Sequence, residues 1–299
     1  MLEDTKMITA IDIGTTKVCA IVGQRDQANR IHVIAHSTVP CRGLSKGNVV
    51  DIAATTEAVE QSVQLIEEQS GHRVESAFVG VTGSHIAFQN RLDRLSSMSK
   101  NGVITAEDLA RTPESLAESI AEPGRHLIHA IRMSYTLDGE SGIRNPLGMH
   151  SGLVEAETHL VTGGAGFVHR LVQAVEGAGI KIASLVLEPL ASAASILTPE
   201  EKERGVVIAD IGGGTTDLIA FQGGRVCYSA VIPVAGFQFT NDIVLTYHTT
   251  YEAAERVKLE YASTDMQVSG PNEDISLPVV GRDTELQIQR LDVCQLARE

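Results

Sequence analysis

The 299 residues carry 38 acidic against 24 basic side chains, a formal net charge of −14, and no basic patch interrupts the excess, which argues against nucleic acid as a partner. Hydrophobic residues make up 43% of the chain and charged ones 21%, an ordinary globular balance that excludes disorder as the default and is long enough for two core-building lobes. No apolar run approaches the roughly 18 residues of a membrane span, and the N-terminal stretch MLEDTKMITA lacks the basic and oily regions of a signal peptide. These features predict a cytosolic chain.

The first elements read as strand 7–13, a Gly-Thr turn at 14–16, strand 17–23 and a third strand in IHVIAHSTV, a meander. Asp51 is an N-cap candidate for a helix with apolar Ile52, Val59, Val63 and Ile66, stopped by Gly71. A buried strand, SAFVGVTG, follows. Residues 84–158 have more polar strands around one helix opened by Thr105 and Asp108, a capping box in form. They read as an inserted lobe. The earlier style then resumes with strand ETHLVTG, a helix from about 166 to 177, strand IASLVLEP and a helix through LASAASIL. TPEEKERG reads as a polar break and the best domain boundary. A second strand-turn-strand and GGRVCYSAVIPV complete another meander, so the halves look like a distant duplication. After Gly236, two helices are predicted in FQFTNDIVLTYH and YEAAERVKLEYAS, then strands in SLPVV and DTELQIQRLDV leading into a helix at CQLARE.

Two turns carry the chemistry: IDIGTTK at 11–17 and DIGGGTTD at 210–217. Neither fits GxxxxGK[ST]. Each is followed by a strand, so each is a hairpin tip, with glycines that let backbone approach a ligand and threonines that add hydroxyls. Two tips facing each other would grip a phosphate chain from both sides. Each begins with an aspartate at the end of an oily strand, Asp12 and Asp210, and magnesium bound with a nucleotide takes one or two carboxylates and keeps waters. Lys17 supplies a point charge for phosphate oxygens. The competing dinucleotide fingerprint at Gly164-Ala165-Gly166 fails at its third glycine, where His169 stands, and tight strand-helix packing accounts for it. His126 and His129 lie on opposite faces of a strand, and His32 and His36 lie about 13 Å apart along theirs, so neither pair chelates a metal well. Cys19, Cys41, Cys227 and Cys294 are scattered without metal or disulfide spacing and read as structural thiols.

DIGTTK and DIGGGTTD resemble the two phosphate signatures of the actin, DnaK-like chaperone and sugar-kinase superfamily, and LEPLASA at 187–193 resembles its connecting motif. RGLSKGNVVD at 42–51, GIRNPLGM at 142–149, FTNDI at 239–243 and AERVK at 254–258 narrow the resemblance to the bacterial cell-division actin homologue FtsA. The resemblance implies an α/β, actin-like two-lobed ATPase fold with mixed, five-stranded-type sheets, flanking helices and an inserted small α+β subdomain. It implies a first lobe at 1–83 and 159–204, the insert at 84–158, a second lobe opening at 205–235 and a helical and strand subdomain at 236–299. ATP and Mg2+ are the implied cofactors. Asp12 and Asp210 would orient the metal, with Gly14, Thr15, Thr16 and Lys17 on one side of the phosphates and Gly212, Gly213, Gly214, Thr215 and Thr216 on the other. Glu188 would position attacking water or serve as a structural acceptor. Gly236, Glu255 and Lys258 match residues at the nucleoside, against the alternative that Glu255 and Lys258 form a surface ion pair.

The implied function is a filament protein, slow at hydrolysis, that self-associates and tethers the division-ring protein FtsZ through its C-terminal tail to the cytoplasmic face of the membrane. The insert would contact other division proteins. No third glycine motif follows Lys258 and no basic amphipathic helix ends the chain, so a truncated second lobe, and membrane contact only through a helix absent here, are expected. A PilM-like pilus-assembly adaptor and a small-molecule kinase of the same superfamily are the alternatives.

Overall fold

The structure, a computed structural model, describes residues 7–95, 101–110, 123–265, 273–282 and 284–298. By internal contacts the chain divides into two compact units, Met1–Pro233 and Val234–Glu299.

The first unit opens with β1 (Met7–Ile13), β2 (Lys17–Arg25) and β3 (Ile31–Pro40), then a two-residue-turn hairpin of β4 (Leu44–Ser45) and β5 (Asn48–Val49). Helix α1 (Ile52–Ser70) follows as the sequence predicts. The Asp51 carboxylate accepts from the Ala54 N–H at 3.0 Å, and Gly71 closes the helix at φ 65°, donating to the Glu67 carbonyl at 2.8 Å. Thr55, Ala58, Val59, Ser62, Val63 and Ile66 form its buried stripe. Next come β6 (Ser76–Val81), β7 (Ala87–Arg94), the short α2 (Ala106–Ala110), β8 (Arg125–Leu137), β9 (Glu140–Ile143), β10 (Val154–Gly164), α3 (Ala165–Gly177) and β11 (Lys181–Leu187). A five-stranded sheet has the order β11-β6-β1-β2-β3, parallel between β1, β6 and β11 and antiparallel between β1, β2 and β3. Its core holds Ile11, Ile13, Val59, Ile66, Val79 and Leu171. Strand alternation then decides the rest: with Ile11 and Ile13 turned into that core, Ala10 and Asp12 take the opposite face.

Residues within 84–158 build a separate antiparallel sheet together with β10, in the order β7-β10-β8-β9. Thr105 and Asp108 cap α2 reciprocally: the Thr105 hydroxyl accepts from the Asp108 N–H, and the Asp108 carboxylate from the Thr105 N–H. Glycines 163 and 164 serve packing: a Cβ on Gly163 would lie 2.9 Å from Val168 and one on Gly164 3.0 Å from Phe167, both at the start of α3.

After α4 (Glu188–Ile196), the segment read as a polar break is a helix, α5 (Pro199–Arg204). Thr198 and Glu201 cap it reciprocally, Pro199 opens it and Gly205 ends it, so its polarity reflects a solvated helix without a buried face. Strands β12 (Val206–Ile211), β13 (Thr216–Gln222) and β14 (Arg225–Ile232) form a three-stranded antiparallel meander. This meander belongs to the first unit, whereas the sequence boundary falls at 204/205. Its inner face, Ile208, Ile219, Phe221 and Val226, packs with Ala193 of α4, and polar bonds join it to the inserted sheet. Buried His159 of β10 bonds Asn90 at 2.6 Å and Ser229 of β14 at 2.9 Å, while Arg225 donates to the Met133 carbonyl at 3.1 Å.

The second unit contains α6 (Gly236–Tyr247), α7 (Tyr251–Tyr261), the hairpin β15 (Asp274–Pro278) and β16 (Glu285–Gln289), and α8 (Arg290–Leu296). Its own core comprises Ile243, Ala254, Val257, Ile275, Leu277, Ile288 and Val293. Residues 290–293, read as the end of a strand, are helical. Gln289 and Asp292 cap α8, and the helix turns Val293 and Cys294 into the core.

Candidate functional site

A cleft of about 620 Å3 lies wholly in the first unit, where the open face of the five-stranded sheet meets the end of β12 and the start of α4. The β1–β2 turn, Gly14–Thr16, and the β12–β13 turn, Gly212–Thr215, form adjoining walls. The turns interlock: a Cβ on Gly213 would lie 2.7 Å from the Thr16 methyl, and one on Gly214 2.5 Å from the Thr15 hydroxyl. None of Gly14, Gly212, Gly213 and Gly214 has a positive φ. The smallness of Gly213 and Gly214 serves approach of one turn to the other rather than left-handed backbone, whereas a Cβ on Gly14 or Gly212 would meet its own turn, 3.2 Å from the Lys17 carbonyl and 3.3 Å from that of Thr215.

Asp12, Lys17, Glu188 and Asp210 also line the cleft. Glu188 opens α4, and Gly80 of β6 leaves room for it: a Cβ there would lie 3.3 Å from the Glu188 Cγ and 3.5 Å from the Asp12 Oδ1. Glu188 is half-buried, and its Oε1 is shut off from solvent without a hydrogen bond. Burial first, then the charges of Asp12, Asp217 and Asp210, raise its pKa well above the ordinary Glu value. The Asp12 carboxyl opens onto the cleft but is walled by protein; burial and the Asp210 charge raise its pKa, with Lys17 opposing. Asp210 accepts a hydrogen bond from Ser192 of α4.

Of the predicted residues, Gly14, Thr15, Thr16, Lys17, Gly212, Gly213, Gly214 and Thr215 lie on the cleft with the three carboxylates. Thr216 does not. It pairs with Ile211 inside the ladder, because a strand begins at that residue and takes it out of the turn. Gly236, Glu255 and Lys258 come together in the second unit. Lys258 pairs with Glu255 at 2.7 Å and donates to the Gly236 carbonyl at 3.3 Å, and buried Thr240 bonds both charged side chains. The spacing of one helical turn on α7 makes that ion pair.

Sequence reasoning missed three residues here. Ser192 and Thr82 line the cleft, and Thr82, at the end of β6, donates to the buried carboxylate of Asp217 on β13. Burial raises the Asp217 pKa, opposed by hydrogen bonds from Thr82 and Thr215. DIGGGTTD contains a second aspartate at Asp217, and that repeat was the available signal. Among the described residues, no three His, Cys, Asp or Glu side chains are set to hold a metal directly. Asp12 and Asp210, with the unpartnered Glu188 oxygen nearby, fit a magnesium ion that keeps its waters and takes few protein ligands. His129, one of the sequence-level histidines, accepts from the Leu187 N–H at 2.9 Å, and all four cysteines are free thiols.

The fold and the cleft define an actin-like α/β protein. Comparison with solved structures agrees: the chain is similar to a PilM–PilN type IV pilus biogenesis complex, with a TM-score of 0.63 and 18% identity over 85% of this chain and 69% of that one. It is similar to MreB5 of Spiroplasma citri bound to ADP, with a TM-score of 0.53 and 15% identity over 99% and 75% of the two chains. The model for cell division protein FtsA matches residues 207–297, and that for the SHS2 domain inserted in FtsA matches residues 83–162. Cell division protein FtsA of Pseudomonas aeruginosa is 36% identical over 296 residues, covering 97% of this chain and 69% of that protein. The chain belongs to the FtsA family of cell division proteins. Among the described residues no helix is long and apolar enough to cross a membrane.

Proposed function

We propose that this chain is an ATP-binding, filament-forming division protein whose cleft holds the phosphates of a magnesium nucleotide between its two Gly-Thr turns. The observation carrying the reading is the interlocking of the turns beside Asp12, Asp210 and the unpartnered Glu188 oxygen. In the solved relative MreB5 the bound ligand is ADP. Thr15, Thr16 and Lys17 would meet the phosphates from one side through hydroxyl and ammonium donors, and the N–H groups of Gly213, Gly214 and Thr215 from the other, while the Gly212 N–H closes that turn on the Thr215 carbonyl at 2.9 Å. Asp12 and Asp210 would hold magnesium through its waters. Magnesium, when bound, neutralises phosphate charge. Glu188, on the floor of the cleft, would orient a water or accept a hydrogen bond from one. Its burial among three other carboxylates disfavours a permanently ionised base, which suits slow hydrolysis and a mainly structural nucleotide.

On this reading residues 1–83 and 159–204 form the first lobe, 84–158 a docking insert for other division proteins, and 236–299 a helical subdomain of the second lobe, with 205–235 the opening of that second lobe in family terms although its meander packs within the first compact unit. The protein would tether FtsZ at the cytoplasmic face of the membrane, binding the FtsZ C-terminal tail and contacting lipid through a separate amphipathic segment. Family membership supports a place in the division machinery. A pull-down with an immobilised FtsZ tail peptide is expected to retain this chain. No retention, with or without Mg-ATP, would overturn the tethering role.

A further inference from the structure

The stretch RGLSKGNVVD at 42–51 stands outside the cleft lining. It folds as the β4–β5 hairpin, anchored to the core at its base and wedged between both cleft turns at its tip. At the base, the Gly43 carbonyl accepts the N–H groups of Val50 and Asp51, and Arg170 of α3 donates to the Val49 carbonyl at 2.9 Å. At the tip, Lys46 and Gly47 both adopt left-handed backbone, φ 49° and 74°, the pattern of a tight two-residue hairpin turn. A lysine there is under strain that a glycine would not feel.

The tip touches both turns through backbone. The Gly47 N–H donates to the Thr15 hydroxyl at 3.1 Å. The Lys46 backbone stands where a Cβ on Gly214 would need to be, with Cα 3.0 Å and N 3.1 Å from that position. Behind it, a Cβ on Gly47 would lie 2.8 Å from the Gly83 Cα. The tip is therefore seated on three sides without a side chain.

We propose that the Lys46–Gly47 tip is the positioning element that sets the two phosphate-side turns in register, Gly47 by fixing Thr15 and Lys46 by backing Gly214. The proposal rests on the nucleotide reading given above. It assigns the work to the backbone, so the lysine side chain is dispensable while its left-handed conformation is not. This makes an unusual ordering of variants.

The test is calorimetric binding of Mg-ATP to the full chain, with the nucleotide-free melting temperature measured alongside. Lys46→Gly, which keeps the left-handed turn and removes the side chain, is expected to bind within about twofold of the parent. Lys46→Val, whose branched Cβ opposes that conformation, and Gly47→Ala, with a Cβ against Gly83, are expected to weaken binding on the order of tenfold or more, the scale on which small misplacements of binding groups act. Gly71→Ala is the control for mere strain: it has the same backbone sign and open space around it, and is expected to lower melting without changing affinity. Equal weakening in Lys46→Gly and Lys46→Val would show that the side-chain charge acts, and unchanged affinity in both Lys46→Val and Gly47→Ala would show that the tip does not act. Either result overturns the proposal. Should Gly47→Ala fail to fold, the two Lys46 variants decide alone. Absence of Mg-ATP binding in the parent would instead remove the nucleotide reading on which the proposal stands.

Discussion

Glu188 is the residue whose energetics are least comfortable. Folding buries it with one oxygen unpartnered and three aspartates near enough to raise its pKa, so its ionised form costs stability. Because the folded pKa exceeds the ordinary Glu value of 4.5, the folded state holds the proton over a range in which the unfolded state has lost it. Stability is then full below the ordinary value and declines as pH rises through the raised one, and Asp12 contributes in the same direction. Glu188→Gln, neutral at every pH, is expected to flatten that decline and to raise the nucleotide-free melting temperature at pH 8 by about 3 °C, corresponding to roughly 1 kcal/mol. Thermal denaturation scans of both proteins from pH 5 to pH 8 measure it. A melting temperature that rises with pH equally in both would show Glu188 to be satisfied in the folded chain.

The elements show how much could be read beforehand. The helix at 52–70 was legible at both ends because Asp51 and Gly71 act locally, through bonds to residues within four positions. The two Gly-Thr turns were legible because their glycines and threonines sit between unmistakable oily strands. What escaped were contacts between residues far apart in sequence: Thr82 with Asp217, Ser192 with Asp210, and His159 with Ser229. No local pattern announces such pairs, since they depend on how sheets stack. Two misreadings had local signals that composition and alternation outweighed. Thr198-Pro199-Glu200-Glu201 is a capping box with proline at the first helical position, and Gln289 with Asp292 caps α8 beneath an apparently continuing alternation. Thr198→Ala removes the α5 cap and is expected to cost about 1 kcal/mol without affecting Mg-ATP affinity, as urea denaturation and calorimetry would show. In contrast, Gly213→Ala places a Cβ 2.7 Å from the Thr16 methyl, and is expected to weaken Mg-ATP on the order of tenfold by parting the turns.

At the scale of the whole molecule, fold class and family were the most legible properties, because repeated turns, a connecting motif and an insert of appropriate length constrain topology together. A formal charge of −14 repels anionic lipid, so this chain by itself is expected to stay in the supernatant when anionic vesicles are sedimented at physiological salt; co-sedimentation would reveal a membrane-binding surface that its charge argues against. Titration calorimetry of Mg-ATP into the parent and into Asp210→Ala decides whether the cleft is a magnesium-nucleotide site. The predicted result is saturable binding to the parent that is lost with EDTA and weakened at least tenfold in Asp210→Ala. No binding to the parent, or identical binding by the two proteins, would contradict the account.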